Sequence, residues 1–182
     1  GVYGASGYTG RELCRLLLNH KHVGRIIPTS REGEDFERAN PNLLGSRLEY
    51  VRPEELSTSF LDNLDVIFFC TPTGEAMENA PSFLEAGKRV IDLSADFRFK
   101  DARRFEEAHQ QRHTCPELLE HAVCGITELN RKQISNAKQI LFICKLGLKF
   151  WFNRLDTKNR ISYFFYFFLF FSFSKLFFLF LF

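Results

Sequence analysis

Two short apolar runs govern what this chain can become: "LDVIFFC" at residues 64–70 and "KRVIDLS" at residues 88–94. Neither alternates apolar with polar residues, as a strand with one wet face would. Each reads as a strand covered on both faces, and each is followed by turn residues and then a helical stretch. The same rhythm runs through residues 1–143. Val2 and Tyr3 read as the stub of a first strand, with its beginning lost. Residues 11–19 carry Leu13, Leu16 and Leu17 on one helical side, and residues 25–31, "RIIPTSR", read as a second strand entering a loop. Residues 75–86 read as a helix stopped by Gly87, with Pro81 predicting an irregular first part. Helices follow over 101–112 and 128–137, and "KQILFI" at 138–143 reads as a last strand. Buried strands alternating with helices define an α/β chain with a doubly wound parallel sheet.

A length of 182 residues suits one domain plus an appendage, and composition marks where the appendage starts. Of the 22 Phe, 11 lie in residues 161–182. From Lys145 onward the formal charge is +5, so residues 1–144 carry −3 within the total of +2. The basic character belongs to the tail and gives no reason to expect a nucleic-acid partner. The expected division is a cofactor-binding domain over 1–143 and a basic, then Phe-rich, low-complexity tail over 144–182. The run from Ile161 is long enough for a bilayer, which needs roughly 20 apolar residues. Its crowding of Phe and its thymine-rich codons favour translated intron or frameshifted sequence over a membrane anchor.

The five cysteines (Cys14, Cys70, Cys115, Cys124, Cys144) form no C-x-x-C pair. Their odd number points to free thiols in a reducing compartment, cytoplasmic or an organellar matrix. The first residue is Gly rather than Met, so a targeting segment cannot be assessed. His113, Cys115, His121 and Cys124 are all metal-ligand types, but H-x-C-x5-H-x2-C matches no familiar zinc spacing. His109 and His113, in "HQQRH", lack the glutamate of a metalloprotease helix, and no metal is expected.

Between the first strand and the first helix lies "GASGYTG", with Gly4, Gly7 and Gly10 three apart. The spacing differs from G-x-G-x-x-G, but its physical logic is that of a Rossmann-type nucleotide fold. One glycine permits a tight turn, another lets the backbone approach a phosphate, and the helix N-terminus supplies free N–H groups. An NAD-preferring fold places an acid at the end of the second strand; here stand Ser30 and Arg31, with no acid until Glu32. A hydroxyl beside a guanidinium suits a 2′-phosphate, and so NADP. "IDLSADFR" at 91–98 leaves a buried strand on the edge where open α/β sheets bind ligands. There Arg98 is placed either to clamp a phosphate or to pair with Asp96 or Asp101.

Taken in order, "GASGYTGRELCRLL", "TSR", "LEAGKRVIDLSADFRFKD", "HTCPELL" and "GITELNR" resemble N-acetyl-gamma-glutamyl-phosphate reductase, of the semialdehyde dehydrogenase group. The resemblance covers about residues 1–140 and implies an NADPH-dependent oxidoreductase of arginine biosynthesis, homo-oligomeric, acting on a small-molecule acyl phosphate. In the implied reaction a cysteine attacks the acyl phosphate, phosphate leaves, and hydride from NADPH reduces the thioester to the semialdehyde. By similarity Gly7, Tyr8, Thr9 and Gly10 would line the pyrophosphate, and Ser30 with Arg31 the 2′-phosphate. Thr71, Pro72, Gly74 and Ser94 would lie beside the cofactor, and Arg98 would meet the substrate phosphate.

The resemblance breaks after "NAKQI". The family continues into Ala-Asn-Pro-Gly-Cys, whose cysteine is the nucleophile; this chain reads "LFICKLG", and the nucleophile's place falls on Lys145. Cys144 stands one position early without the Asn-Pro-Gly turn, which makes it a poor substitute. No catalytic residue is therefore assigned. The expected chain is a reductase fragment that binds cofactor without turnover. The alternatives are a silent NADP-binding module, membrane-tethered by its tail, and a sister semialdehyde dehydrogenase.

Overall fold

The chain opens on β1 (Val2–Tyr3), a strand whose Val2 faces one side of the sheet and Tyr3 the other. The computed structural model describes residues 1–137 and 140–142; the expectations for Cys144 and for residues 144–182 lie outside the described residues. After β1 come α1 (Tyr8–Leu18) and the short α2 (Phe36–Ala39) and α3 (Pro53–Ser57). Then the chain alternates: β2 (Val66–Phe69), α4 (Glu75–Glu85), β3 (Arg89–Asp92), α5 (Ala102–His109), β4 (Val123–Cys124), α6 (Thr127–Asn136) and β5 (Ile140–Phe142).

The strands lie in the order β1-β2-β3-β5-β4, and every pair is parallel. Beyond β1, parallel bridges join Val2 to Pro28 and Thr29 to Val51. The stretch 25–31, which reads as a full strand, contributes only these bridging residues. Pro28 has no N–H to give to a ladder, and that shortens the pairing. The two apolar runs are neighbours in register, with Ile67 opposite Val90 and Phe69 opposite Asp92.

Helices cover both faces. On one, Leu13, Cys14 and Leu17 of α1 and Ile134 of α6 pack with Val2, Phe68 and Ile91. On the other, Ala76, Met77, Ala80 and Phe83 of α4 and Phe105 of α5 pack with Tyr3, Ile67, Phe69 and Val90. Successive strand residues thus enter opposite cores, which is why neither run could carry polar alternation. The doubly wound parallel α/β architecture is the one expected.

Local boundaries differ where local chemistry intervenes. Gly87, at φ +74°, ends α4 as expected. The irregularity expected from Pro81 is absent, and α4 runs unbroken from Glu75 to Glu85. Gln110 adopts a left-handed φ of +53°, which stops α5 at His109, short of the predicted 112. Among the described residues no helix is long and apolar enough to cross a membrane.

Candidate functional site

The chain leaves β1 toward the Pro28 side of the sheet, while β2 lies on β1's other side. That reversal opens a crevice at the carboxyl ends of the strands, the usual ligand position in such sheets. A cleft of about 180 Å³ occupies it. Its floor is Tyr3, Gly4 and Ser6; one wall is Thr29 to Glu32, and the other Thr71, Pro72 and Glu75.

The glycine loop needs its glycines for different reasons. Gly4 has φ +70°, and a Cβ there would stand 2.7 Å from the Cys70 carbonyl oxygen. At Gly10 a Cβ would come within 2.4 Å of the Gly4 oxygen and 2.6 Å of Ala5 Cα. These two let α1 start directly against the loop and let the loop pass the end of β2. A Cβ at Gly7 would meet only the Gly4 oxygen, at an ordinary 3.5 Å. Gly7 is nevertheless the N-cap of α1, with extended backbone, no side-chain cap and no acid in the first turn. The first intrahelical donor is Arg11 N–H, to Gly7 O at 2.9 Å. The N–H groups of Tyr8, Thr9 and Gly10 thus stand ahead of the helical ladder with a favourable dipole behind them. Tyr8 is 87% exposed at the same end.

Thr29 ties this loop to the second wall. Its buried hydroxyl donates to Val2 O and accepts Gly4 N–H, each at 3.2 Å, and its carbonyl accepts Ala5 N–H at 3.1 Å. Next to it Ser30 is nearly buried, and its Oγ accepts Glu32 N–H at 3.2 Å, which folds the loop tip and turns Arg31 outward. Arg31 crosses the cleft mouth and donates from Nη2 to both carboxylate oxygens of Glu75, at 2.6 and 2.7 Å. On the far wall Thr71 Oγ1 is enclosed without a hydrogen-bond partner among the described residues.

Ser30, Arg31, Thr71 and Pro72 therefore share one cleft; Gly7, Tyr8, Thr9 and Gly10 do not line it, but follow directly on Gly4 and Ser6, which do. Gly74, Ser94 and Arg98 do not line it. Gly74 N–H is committed to the buried Asp96 carboxylate, at 2.9 and 3.0 Å, and Met77 N–H joins it at 3.0 Å. The N-terminus of α4 is thereby closed by protein, while that of α1 is open. Ser94 organises the loop after β3: its N–H donates to Asp92 Oδ1 at 2.8 Å, and its Oγ accepts Asp96 N–H at 3.1 Å. Asp92 Oδ2 has no partner among the described residues, and burial pushes the carboxyl up to about 7.

Arg98 pairs with neither of the acids offered to it by sequence. Asp96 caps α4, and Asp101 caps α5 by accepting Arg103 N–H at 2.9 Å. The guanidinium of Arg98 instead lies 4.3 Å over the Phe99 ring, and its Nε has no partner among the described residues. Arg98 is half-buried in this position.

His113 and Cys115, weighed as metal ligands, are taken up internally. His113 Nε2 meets Asp96 O at 3.0 Å, and its Nδ1 accepts Cys115 N–H at 3.2 Å. Burial pushes the thiols of Cys14 and Cys115 up to about 12, far from nucleophilic thiolates. Sequence reasoning missed Thr29, Ser6, Pro53 and Glu75 as cleft residues. Only Glu75 left a trace, as an acid opening a helix, and its partner lies 44 positions away.

A doubly wound parallel sheet with a glycine loop and an open helix N-terminus at its switch point defines a dinucleotide-binding domain. The chain belongs to the semialdehyde dehydrogenase family: the model described as "Semialdehyde dehydrogenase, NAD binding domain" matches residues 1–137. It is similar to N-acetyl-gamma-glutamyl-phosphate reductases of Bordetella bronchiseptica (47% identical), Nitrosospira multiformis (44%) and Acinetobacter baumannii (41%). Each match covers 77% of this chain but only 40 or 41% of the relative. The chain thus spans about two fifths of the length of the curated relatives it matches.

Proposed function

We propose that this chain is the cofactor-binding portion of an NADPH-dependent N-acetyl-gamma-glutamyl-phosphate reductase, and that it binds NADPH without performing the reduction. The observation that carries the reading is the pairing of an uncapped α1 N-terminus with a cleft walled by Ser30, Arg31 and Thr71. The N–H groups of Tyr8, Thr9 and Gly10, reached past Gly7, would hold the pyrophosphate. Ser30 and Arg31 would hold the 2′-phosphate, because a bidentate guanidinium suits a phosphate and no acid stands at residue 30 or 31. Thr71 Oγ1, enclosed and unpartnered among the described residues, and Pro72 would face the bound cofactor. Ser94 would act through the loop it organises, and Arg98 would meet the phosphate of the acyl substrate. When bound, NADPH supplies the hydride that reduces an acyl carbon to an aldehyde.

Turnover needs a thiolate to form the acyl-enzyme, and the cysteine motif that supplies it in the family does not follow "NAKQI" in this chain. Cys14 and Cys115 are buried with raised pKa, and the Asn-Pro-Gly-Cys turn is missing from the sequence. "SADFR" and "ELNR" favour the glutamyl over the aspartyl substrate. The test combines NADPH fluorescence with absorbance on adding N-acetylglutamyl phosphate. The expected result is a saturable fluorescence change and no oxidation. Oxidation dependent on the acyl phosphate would refute the silent reading, and absence of binding would refute the cofactor reading.

A further inference from the structure

The Arg31–Glu75 ion pair joins the two walls of the cleft at its mouth. We propose that Glu75 is a specificity-determining residue for the cofactor: it straps Arg31 across the cleft mouth and yields it only to a ligand carrying a 2′-phosphate. The inference rests on the reading that Arg31 meets that phosphate.

Three observations carry it. First, the pair uses one donor atom, Nη2, against both oxygens of Glu75, so the strap holds the guanidinium by its tip. Second, the side chains are 68% and 24% exposed, so the pair lies in high dielectric and is weak enough to exchange. A phosphate dianion is a stronger partner for a guanidinium than a single solvated carboxylate. Third, the strap closes the walls that would receive the adenosine ribose, Ser30 on one side and Thr71 on the other. Glu54 and Glu78 add a negative field around Arg31, as does Glu75 itself. A nucleotide with a free 2′-hydroxyl offers Arg31 no replacement for Glu75, so it binds with the pair left intact, whereas a 2′-phosphate must displace the carboxylate. Glu75 thus competes with the 2′-phosphate for Arg31 and sets how large the preference for that phosphate is.

The experiment measures dissociation constants of adenosine 2′,5′-bisphosphate and of ADP for the full chain by calorimetry, for wild type, Glu75→Gln and Arg31→Gln. Thermal unfolding checks that each variant is folded, and Glu75→Ala serves as a second variant should Glu75→Gln fail to fold. Removing the competing carboxylate should tighten the 2′,5′-bisphosphate by about threefold to fivefold, the scale of an exposed ion pair. ADP should move by less than about twofold. Unchanged or weakened 2′,5′-bisphosphate binding in Glu75→Gln would overturn the strap. So would equal tightening of both ligands, which would mark Glu75 as a general repulsive charge. Arg31→Gln separates the two claims: if it leaves the preference for the 2′-phosphate intact, the underlying assignment of Arg31 fails rather than the strap alone.

Discussion

A methyl group added at residue 10 would meet backbone, and one added at residue 7 would meet almost nothing. The Gly10 Cβ position lies 2.4 Å from the Gly4 oxygen and 2.6 Å from Ala5 Cα, and neither atom can swing away as a side chain would. Gly10→Ala should therefore cost about 1–3 kcal/mol, read as a lowered urea midpoint. Gly7 has φ −78° and ψ 164°, which alanine adopts freely, so Gly7→Ala should cost at most about 1 kcal/mol as a poorer N-cap. Its effect should fall on ligand binding, because the added methyl would crowd a phosphate approaching the N–H groups of Tyr8 and Thr9. Equal stability losses in the two variants would contradict this division. Both glycines are equally visible in the sequence. Their separate duties are not, because each depends on where the ends of β1 and β2 pass the loop.

At the level of elements, α4 shows how a local rule can be overridden from outside. Pro81 removes the N–H that would bond to Met77 O, which is why its sequence predicts a broken first half. The freed carbonyl accepts the Thr114 hydroxyl at 3.0 Å and the Cys115 thiol at 3.2 Å, and the helix continues. In the same first turn the N-terminus is closed by Asp96, a residue from the loop after β3, which accepts the N–H groups of Gly74 and Met77. Helix α4 is thus secured by two segments that are distant in sequence. Thr114→Val should lower stability by about 0.5–1.5 kcal/mol in chemical denaturation. In a Pro81→Ala background the loss should shrink, because the substituted residue regains a backbone N–H to donate to Met77 O. A double-mutant cycle without coupling would refute the compensation.

For the whole molecule, stability should carry the signature of one carboxyl. Asp92 sits at the end of β3, opposite Phe69 of β2 and Phe142 of β5, and burial raises it to about 7. An unfolded aspartate titrates near about 3.9. Below that pH both states hold the proton, and the contribution to stability is fully present. As pH rises toward 7 the unfolded chain releases its proton first, so stability falls across that window and levels off above it. The gap in unfolding free energy between wild type and Asp92→Asn should therefore change between about pH 4 and 7 and stay constant beyond, in a denaturation series. A gap independent of pH would refute it. Much of the architecture was legible because uninterrupted apolar runs at 64–70 and 88–94 admit few arrangements other than buried parallel strands. The glycine loop and "TSR" located the cleft for the same reason, since a strand followed by a glycine turn and a helix fixes an edge. Short pieces such as α2, α3 and β4 escaped notice, being too brief to show a period. The cross-cleft pair of Arg31 with Glu75 escaped because only tertiary folding makes those residues neighbours.

The strand order also sets a schedule. β5 is the last described strand in the chain yet lies inside the sheet, between β3 and β4. While the chain is being made, β3 and β4 wait with facing unpaired edges until residues 140–142 arrive to fill the slot. A piece ending before that strand would hold the glycine loop and both cleft walls, but with an open seam in its sheet. Such a seam invites pairing with a strand of another chain. For anyone trimming this domain, residue 142 is the inner limit, because the final three described residues complete the sheet that the first three began.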